Sequence, residues 1–302
     1  MTDGILIVNK EKEFTSFDVV AALRRVFGQK KIGHGGTLDP MAEGVLPVFL
    51  GSATRLCDFQ GDTDKTYEAG ILLGVKTDTD DIWGTVISRH PVLASEEDVR
   101  EAVLSFQGEI LQVPPMYSAK KVQGKKLYEL ARAGVTVERK SVPVTIHEIE
   151  VTEIQLPSVH IRVRCSKGTY IRALARDIGE KLGTSAAMSS LTRTVHGRFS
   201  IADAHTLKEI REAKEDGTLS RLVLPVEQMF TMYPAFRTKK EEDRYLRNGN
   251  RIPFSLTDTD KMPENDALYR ACFSDGRFAA LYRYRADTGL FTAEKMFLPD
   301  NS

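Results

Sequence analysis

The sequence predicts a mixed α/β (α+β) fold with a largely antiparallel central sheet, followed by a small C-terminal β-barrel module. Strand-like runs outnumber helical ones and often follow each other directly, unlike the strict alternation of a doubly wound parallel sheet. The composition shifts at residues 233–234, after which short alternating strands finish the chain. A length of 302 residues, 41% of them hydrophobic, is enough for two domains. We therefore expect domains at residues 1–232 and 233–302.

Local patterns predict the individual elements. Residues 4–10 are an apolar run typical of a buried strand. Thr15 and Asp18 have capping-box spacing, which predicts a helix that runs to Gly28. The glycine-rich segment 30–44 is expected to form a non-helical loop. Further strands are predicted at residues 45–50, 67–73, 84–88, 109–113, 142–154 and 159–165, and further helices at residues 95–107, 170–182, 206–213 and 239–246.

The composition favours a protein of the cytoplasm. The apolar N-terminal run has no basic leader, and no stretch approaches the roughly 18 apolar residues of a membrane span. Cys57, Cys165 and Cys272 are far apart, which argues against a disulfide framework and a zinc site. The six histidines lack metal-binding spacing, so no metal is predicted. No P-loop or dinucleotide fingerprint is present, and no cofactor is predicted.

The glycine-rich loop contains the most informative segment, in which Asp39 stands within the run GHGGTLDPMAEGVLPV. An Asp-Pro pair after glycines commonly forms a simple turn. The functional interpretation is a carboxylate presented on a loop whose glycines let the backbone approach a ligand closely. The loop by itself leaves both interpretations open.

Other short motifs accompany this loop: DKTY at 64–67, LG at 73–74, TDTD at 77–80, SKGTYIR at 166–172, LTR at 191–193 and GRF at 197–199. In this order and spacing, the loop and these motifs resemble the TruB pseudouridine synthases. The resemblance covers about residues 4–252. The His-Arg-Leu-Asp motif of the ribosomal-RNA pseudouridine synthases is absent. The resemblance implies a pseudouridine synthase fold, with a C-terminal module similar to the PUA RNA-binding fold.

The resemblance also implies the site residues. Asp39 would be the nucleophile, Tyr67 the aromatic partner of the target base and Arg172 the cation that pairs with the carboxylate. Without the resemblance, Arg172 could be a surface charge on an amphipathic helix and Tyr67 could simply pack in the core. His34 would support the unstacked RNA loop. The other residues expected to contact RNA in or near the pocket are Leu191, Tyr170 and Lys167.

Residues 117–141 form a strongly basic stretch, with seven basic and two acidic residues and a net charge of +5. Such a run can be merely a solvated face. Here a proline-rich segment precedes it and Tyr128 lies within it, a mixture of cations and aromatics that is typical of nucleic-acid contacts. It resembles the family's thumb insertion, expected at about residues 113–141. Its predicted RNA contacts are Lys120, Lys121, Lys125 and Lys126.

The predicted function is isomerisation to pseudouridine of the T-loop uridine that tRNA numbering calls 55, after base flipping. The expected partner is the tRNA T-arm, bound by a monomer without a guide RNA or an obligatory protein partner. An accessory role in tRNA folding is compatible with this prediction. Two alternatives remain at this point: the guide-RNA-dependent branch that shares the same loop, and a non-enzymatic RNA-binding protein.

Overall fold

The computed structural model describes residues 1–57, 63–118, 120–122, 124–135 and 137–298, with only the backbone at 121, 122, 126 and 132. The strands are β1 Gly4–Lys10, β2 Ile32–His34, β3 Glu43–Leu50, β4 Lys65–Leu73, β5 Val75–Thr77, β6 Val86–Arg89, β7 Gly108–Gln112, β8 Lys121–Val122, β9 Lys125–Lys126, β10 Val142–Gln155, β11 Ser158–Cys165, β12 Ala186–His196, β13 Phe199–Ser200, β14 Ala235–Arg237, β15 Ile252–Pro253, β16 Leu268–Cys272, β17 Phe278–Arg285 and β18 Leu290–Met296. The α-helices are α1 Ser16–Phe27, α2 Glu96–Leu104, α3 Leu127–Arg132, α4 Ile171–Lys181, α5 Leu207–Glu215 and α6 Asp243–Arg247. In the described part of the chain, no helix is long and apolar enough to cross a membrane.

The central sheet runs in the order β1-β3-β12-β4-β11-β10-β7, with β2 also paired to β3 and β13 to β12. Its strand pairs are antiparallel except for β3 with β12, which run parallel. Strand β1 alternates its side chains between two apolar clusters, with Ile5 and Ile7 in one and Leu6 and Val8 in the other. The sheet is therefore covered on both faces. This confirms the predicted mixed fold with a largely antiparallel sheet.

Local signals determine the helix starts. Thr15, Ser95 and Thr206 each cap a helix, with the reciprocal hydrogen bonds of a capping box. Helix α1 ends at Gly28, which adopts the left-handed conformation with φ of 64°. The predicted starts of these three helices are confirmed to within one residue. Helix α2, however, ends three residues earlier than predicted.

One long central strand was not predicted. Strand β12 begins with Ala186, Ala187, Met188, Ser189 and Ser190, none of which is the β-branched type that is typical of strands. It nevertheless lies between β3 and β4 in the middle of the sheet. The predicted glycine-rich loop also contains the short strand β2, which pairs with β3. In both cases pairing with a distant strand, rather than local propensity, determines the structure.

The C-terminal part contains a separate five-stranded sheet in the order β14-β16-β17-β18-β15, which curls around its own aromatic cluster. This agrees with the predicted small barrel-like module. Leu281 and Phe297 belong to a different cluster, in which they pack with Ile5 and Phe49 of the central sheet. The rings of Phe297 and Phe230 lie 5.3 Å apart in this shared cluster. The module and the central sheet therefore share one hydrophobic junction.

We expect Phe297→Ala to destabilise the whole chain by about 3–5 kcal/mol, because the substitution leaves a cavity in the shared cluster. The unfolding midpoint in denaturant can be followed through the fluorescence of Trp83, the only tryptophan, which lies in the N-terminal part. Met232→Ala is the control, since that side chain is exposed and should change stability by less than about 0.5 kcal/mol. An unchanged Trp83 transition in Phe297→Ala would show that the two parts unfold independently.

Candidate active site

A cleft of about 620 Å³ opens beside the glycine-rich loop. Three residues predicted to act in the chemistry, Asp39, Tyr67 and Arg172, line it together. Leu191, Tyr170 and Lys167 line the same cleft. The volume lies in the range of ordinary ligand pockets. Segments that are far apart in the sequence thus converge on one cavity.

The central contact in the cleft is an ion pair. Arg172 Nε lies 2.9 Å from Asp39 Oδ2, with the arginine side chain 6% exposed and the aspartate side chain 40% exposed. The guanidinium also donates hydrogen bonds to the carbonyl oxygens of Thr79 at 2.9 Å and Tyr117 at 2.8 Å. A buried cation is stable only when its donors are satisfied. Arg172 thus directs a charged donor at Asp39 while its other donors bind fixed backbone oxygens.

The position of Arg172 follows from the start of helix α4. Tyr170 caps this helix without a side-chain hydrogen bond of its own. Instead, the buried side chain of Gln112 accepts a hydrogen bond from Tyr170 N at 2.7 Å and donates one to Tyr170 O at 3.1 Å. At the other end of the helix, Gly179 has no room for a Cβ, which would lie 2.5 Å from Ala186 N of β12. The helix is therefore fixed against strand β12 and the end of strand β7.

Arg176, one turn further along α4, fixes the same neighbouring segments. It donates hydrogen bonds to Asp80 Oδ2 at 3.2 Å and to Val113 O at 3.1 Å. Its partners lie next to those of Arg172, on the loop after β5 and at the start of the basic insertion. Two arginines of one helix face therefore bind both segments. The sequence analysis gave no role to Arg176.

Buried polar side chains hold the loop that carries Asp39. Lys10 Nζ donates hydrogen bonds to the carbonyl oxygens of Pro40, Phe14 and Glu11 at 3.0, 2.7 and 3.0 Å. Ser16 Oγ accepts a hydrogen bond from Leu38 N at 2.9 Å. Both residues flanking Asp39 are thereby fixed to β1 and α1. The loop is held in one conformation despite its glycines.

Arg193 of β12 holds the other side of the loop. It is 1% exposed and donates hydrogen bonds to Val45 O at 2.8 Å and Gly36 O at 3.2 Å. Gly44 adopts a φ of 100°, and a Cβ there would lie 2.2 Å from Arg193 O. Only glycine permits this close approach of β3 to β12. The sequence places Arg193 in the LTR motif, but it does not reveal these contacts with the loop.

The guanidinium of Arg193 lies close to the hydroxyl of Tyr67. Burial raises the pKa of Tyr67 above its ordinary value, and the nearby Arg193 partly opposes that rise. The tyrosine is therefore a neutral phenol at neutral pH. One arginine thus contacts Tyr67, while another contacts Asp39.

Asp81 is a further acidic group at the cleft. Its carboxylate accepts hydrogen bonds from Thr79 Oγ1 at 2.7 Å and Trp83 N at 3.1 Å, and lies 3.9 Å from Arg172 Nη1. Burial raises the pKa of Asp81, and the bond from Thr79 and the charge of Arg172 oppose that rise. The adjacent TDTD motif could have pointed to this residue.

Of the remaining predicted RNA contacts, His34, Lys120 and Lys125 are not among the residues that line the cleft. His34 lies in β2 and is not among the cleft-lining residues. Burial lowers the pKa of His34, and nearby Arg193 lowers it further, so the imidazole is neutral at neutral pH. Lys120 and Lys125 border a second cavity of about 780 Å³ within the basic insertion. The side chains of Lys121 and Lys126 lie outside the described residues.

The cleft on this mixed α/β fold brings a partly exposed carboxylate against a buried arginine. Profiles for "TruB family pseudouridylate synthase (N terminal domain)" and "tRNA pseudouridylate synthase B C-terminal domain" match residues 24–171 and 172–231. The chain is 42% identical to tRNA pseudouridine synthase B of Dehalococcoides mccartyi, over 98% of this chain and 97% of the relative. It is 45% identical to the Lachnoclostridium phytofermentans protein of the same name, over 98% and 100%.

Solved structures agree with this result. The chain aligns with one from a Cbf5-Nop10-Gar1 complex with a TM-score of 0.70 and 27% identity, covering 98% of this chain and 85% of that one. A chain from an H/ACA RNP bound to a substrate RNA gives a TM-score of 0.69 and 26% identity, with the same coverages. The protein belongs to the TruB family of pseudouridylate synthases and is an isomerase.

The buried ammonium of Lys10 makes a testable contribution to stability. Burial lowers the pKa of Lys10 from 10.5 to about 8, against the attraction of Asp39 and Glu43. Between these two values the unfolded chain binds more protons than the folded one, so this group makes stability rise with pH. In Lys10→Met we expect that slope to fall by up to about 1.4 kcal/mol per pH unit.

Urea unfolding measured from about pH 8 to pH 10 tests this expectation. Lys208→Met is the matched control, because Lys208 is exposed on α5 and pairs only loosely with Glu212 at 3.8 Å. The Lys208 variant should keep the slope of the parent protein. Equal slopes in the parent and Lys10→Met would mean that Lys10 titrates alike in the folded and unfolded chains.

Proposed function

We propose that this protein is a cytoplasmic tRNA pseudouridine synthase that isomerises the T-loop uridine at tRNA position 55. The observation that carries the proposal is the Asp39–Arg172 pair beside Tyr67 in one cleft. The relatives named tRNA pseudouridine synthase B, similar over almost the whole chain, support the choice of tRNA as substrate.

In the proposed reaction, Asp39 acts at the sugar carbon C1′. The bond between uracil N1 and C1′ breaks, the base turns, and a bond between C5 and C1′ forms. C5 then loses its proton and N1 gains one, so the product is an isomer of the substrate. A carboxylate is suited to attack or stabilise a carbon that develops positive charge. Arg172 orients this carboxylate through a charge-assisted hydrogen bond.

Tyr67 and Leu191 bind the extruded uracil in this proposal. The 8% exposed Tyr67 offers a ring on which a base can stack, and Leu191 offers an apolar surface. As a neutral phenol the tyrosine can also take part in moving the C5 proton, a role that requires its hydroxyl. The charge of Arg193 acts on that hydroxyl.

The RNA outside the pocket is bound by separate groups. The exposed side chain of Lys167 and the half-buried Tyr170 lie where the cleft opens, and we assign them to the RNA backbone and a neighbouring base. His34, as a neutral imidazole, supports the T loop at the place that the flipped base leaves. Lys120, Lys121, Lys125 and Lys126 of the insertion at about residues 113–141 contact phosphates of the T-arm.

We divide the chain into a catalytic domain at residues 1–232 and a PUA-like RNA-binding domain at residues 233–302. The similar solved structures come from a Cbf5-Nop10-Gar1 complex and from an H/ACA RNP bound to a substrate RNA. We propose instead that this protein acts alone, as a monomer. Its similarity to the relatives named tRNA pseudouridine synthase B is greater than its similarity to these structures, and it covers nearly the whole length of those relatives. An accessory tRNA-folding role would use the same binding surface without the chemistry.

Asp39→Asn should leave tRNA binding nearly intact and reduce turnover by at least about 1,000-fold, because an amide has the same size but cannot act as the anionic group. Turnover is measured as tritium released from C5-labelled unmodified tRNA, without guide RNA. Glu43→Gln is the matched control, since Glu43 lies four residues after Asp39, at the start of β3, and pairs with Lys12 at 3.2 Å. Turnover by Asp39→Asn at a tenth of the parent rate would contradict the assignment of Asp39.

The basic insertion should determine the salt dependence of tRNA binding. We expect the variant with Lys120, Lys121, Lys125 and Lys126 changed to Gln to bind all tRNAs more weakly. If two of these lysines contact phosphate, the slope of log Kd against log salt should fall by roughly 1.4–1.8. Turnover at saturating tRNA should change much less, because the ground state and the transition state lose the same contacts.

The control for the lysine variant changes Lys208 and Lys214 to Gln, two exposed lysines on α5 outside the insertion. This control should keep the parent slope. If the fourfold variant also keeps it, the basic stretch is a solvated face and the assignment of the insertion to phosphate contacts is wrong.

A further inference from the structure

Trp83 is the only tryptophan of the chain, and it lines the cleft that holds Asp39. Its side chain is 39% exposed, although the indole is among the largest apolar groups in the protein. We propose that Trp83 is a base-stacking contact for the nucleotide next to the target uridine. This inference rests on the proposed function, because it takes the ligand of the cleft to be RNA.

The burial of the lining residues separates the floor of the cleft from its rim. Tyr67, Leu191 and Met188 are 8%, 6% and 1% exposed, so they form the floor. Trp83, far more exposed, lies on the rim. A flipped uracil that reaches Asp39 occupies the floor, and the nucleotide that follows or precedes it must cross the rim. The indole is thus placed for the neighbouring base rather than for the target base.

The loop that carries Trp83 is closed by hydrogen bonds. Trp83 N donates to Asp81 Oδ1 at 3.1 Å, and Ile82 N donates to Met188 O at 3.0 Å. At its ends, Thr85 N donates to Asp78 Oδ1 at 2.7 Å. An aromatic side chain on a fixed loop loses little conformational freedom when a base stacks on it. The loop therefore presents a preorganised stacking surface.

The same guanidinium that pairs with Asp39 also fixes the Trp83 loop. Arg172 Nη1 donates to Thr79 O at 2.9 Å and lies 3.9 Å from the Asp81 carboxylate, which in turn binds Trp83 N. The distance between the stacking surface and the catalytic carboxylate is therefore set by one buried residue. A nucleotide stacked on Trp83 would therefore be bound at a fixed distance from Asp39.

The surroundings favour RNA over a protein ligand. Lys65 and Lys167 line the cleft together with Trp83, and Tyr170 adds a second aromatic ring at its opening. Cations that reach phosphates, alternating with aromatic faces that stack on bases, are typical of single-stranded nucleic-acid sites. Ile87 is exposed on the same hairpin but does not line the cleft, so a substitution at Ile87 is a control for substitutions at Trp83.

The first test compares Trp83→Ala, Trp83→Phe and Ile87→Ala in the tritium-release assay with unmodified tRNA. We expect Trp83→Ala to raise KM about 10-fold, Trp83→Phe to raise it less than about 3-fold, and Ile87→Ala to leave it unchanged. The kcat of Trp83→Ala should stay within about 3-fold of the parent value. Thermal unfolding of the three variants serves as the check that the hairpin remains folded.

The second test identifies the stacked nucleotide. T-arm hairpins carrying an abasic residue on the 5′ or the 3′ side of the target uridine are titrated against the parent protein and Trp83→Ala. One of the two abasic changes should raise the Kd of the parent protein about 10-fold and that of Trp83→Ala by much less.

Because Trp83 is the only tryptophan, tRNA binding should also shield the fluorescence of the parent protein from quenching by iodide.

An unchanged KM in Trp83→Ala, together with unchanged iodide access on tRNA binding, would overturn the proposal. So would equal losses from each abasic change in the parent protein and Trp83→Ala. If tritium is released at a uridine outside the T loop, the proposed target is wrong, but the Trp83 comparison can be repeated at that uridine. Failure of the Trp83 proposal can therefore be distinguished from failure of the proposed target uridine.

Discussion

The pairing of Asp39 with Arg172 is the interaction on which the rest of the site depends. Arg172 is almost fully buried, and removing a guanidinium from water has a large free-energy cost unless its donors are satisfied. Here the donors bind one carboxylate and two backbone carbonyls, at Thr79 and Tyr117. The loop after β5, the root of the basic insertion and the glycine-rich loop must all be in place before this cation is stable. The ion pair and the local fold therefore stabilise each other.

The loop that carries Asp39 shows how a glycine-rich segment can be rigid. Its glycines permit close backbone approaches, most clearly at Gly44 against Arg193. Its carbonyl oxygens are then bound by Lys10 and Arg193, which extend from different strands of the central sheet. Fixed donors of this kind hold the backbone next to Asp39 in place. Glycine provides the shape of the loop, and buried cations provide its rigidity.

Two arginines contact different groups at the floor of the cleft. Arg172 contacts the carboxylate, whereas Arg193 contacts the hydroxyl of Tyr67 and the backbone of the loop. The Asp39 side chain remains partly exposed to the cleft, while Tyr67 is buried and neutral at neutral pH. An anionic group and a neutral aromatic group are thus held side by side. This combination suits a reaction in which charge develops at a sugar carbon while an uncharged base turns over an apolar surface.

The sequence by itself determined what depends on nearby residues: the capped helix starts, such as the one at Thr15, and the motif that contains Asp39. It also predicted the mixed, largely antiparallel fold and the separate C-terminal module, because runs of strands produce a visible periodicity. Only the tertiary structure decided that β12 lies in the middle of the sheet and that Lys10 and Arg193 hold the loop. It also decided that Trp83 lies on the rim of the cleft. Those features arise from contacts between residues far apart in the chain, and a lone cation or aromatic residue has no local pattern that reveals its distant partner.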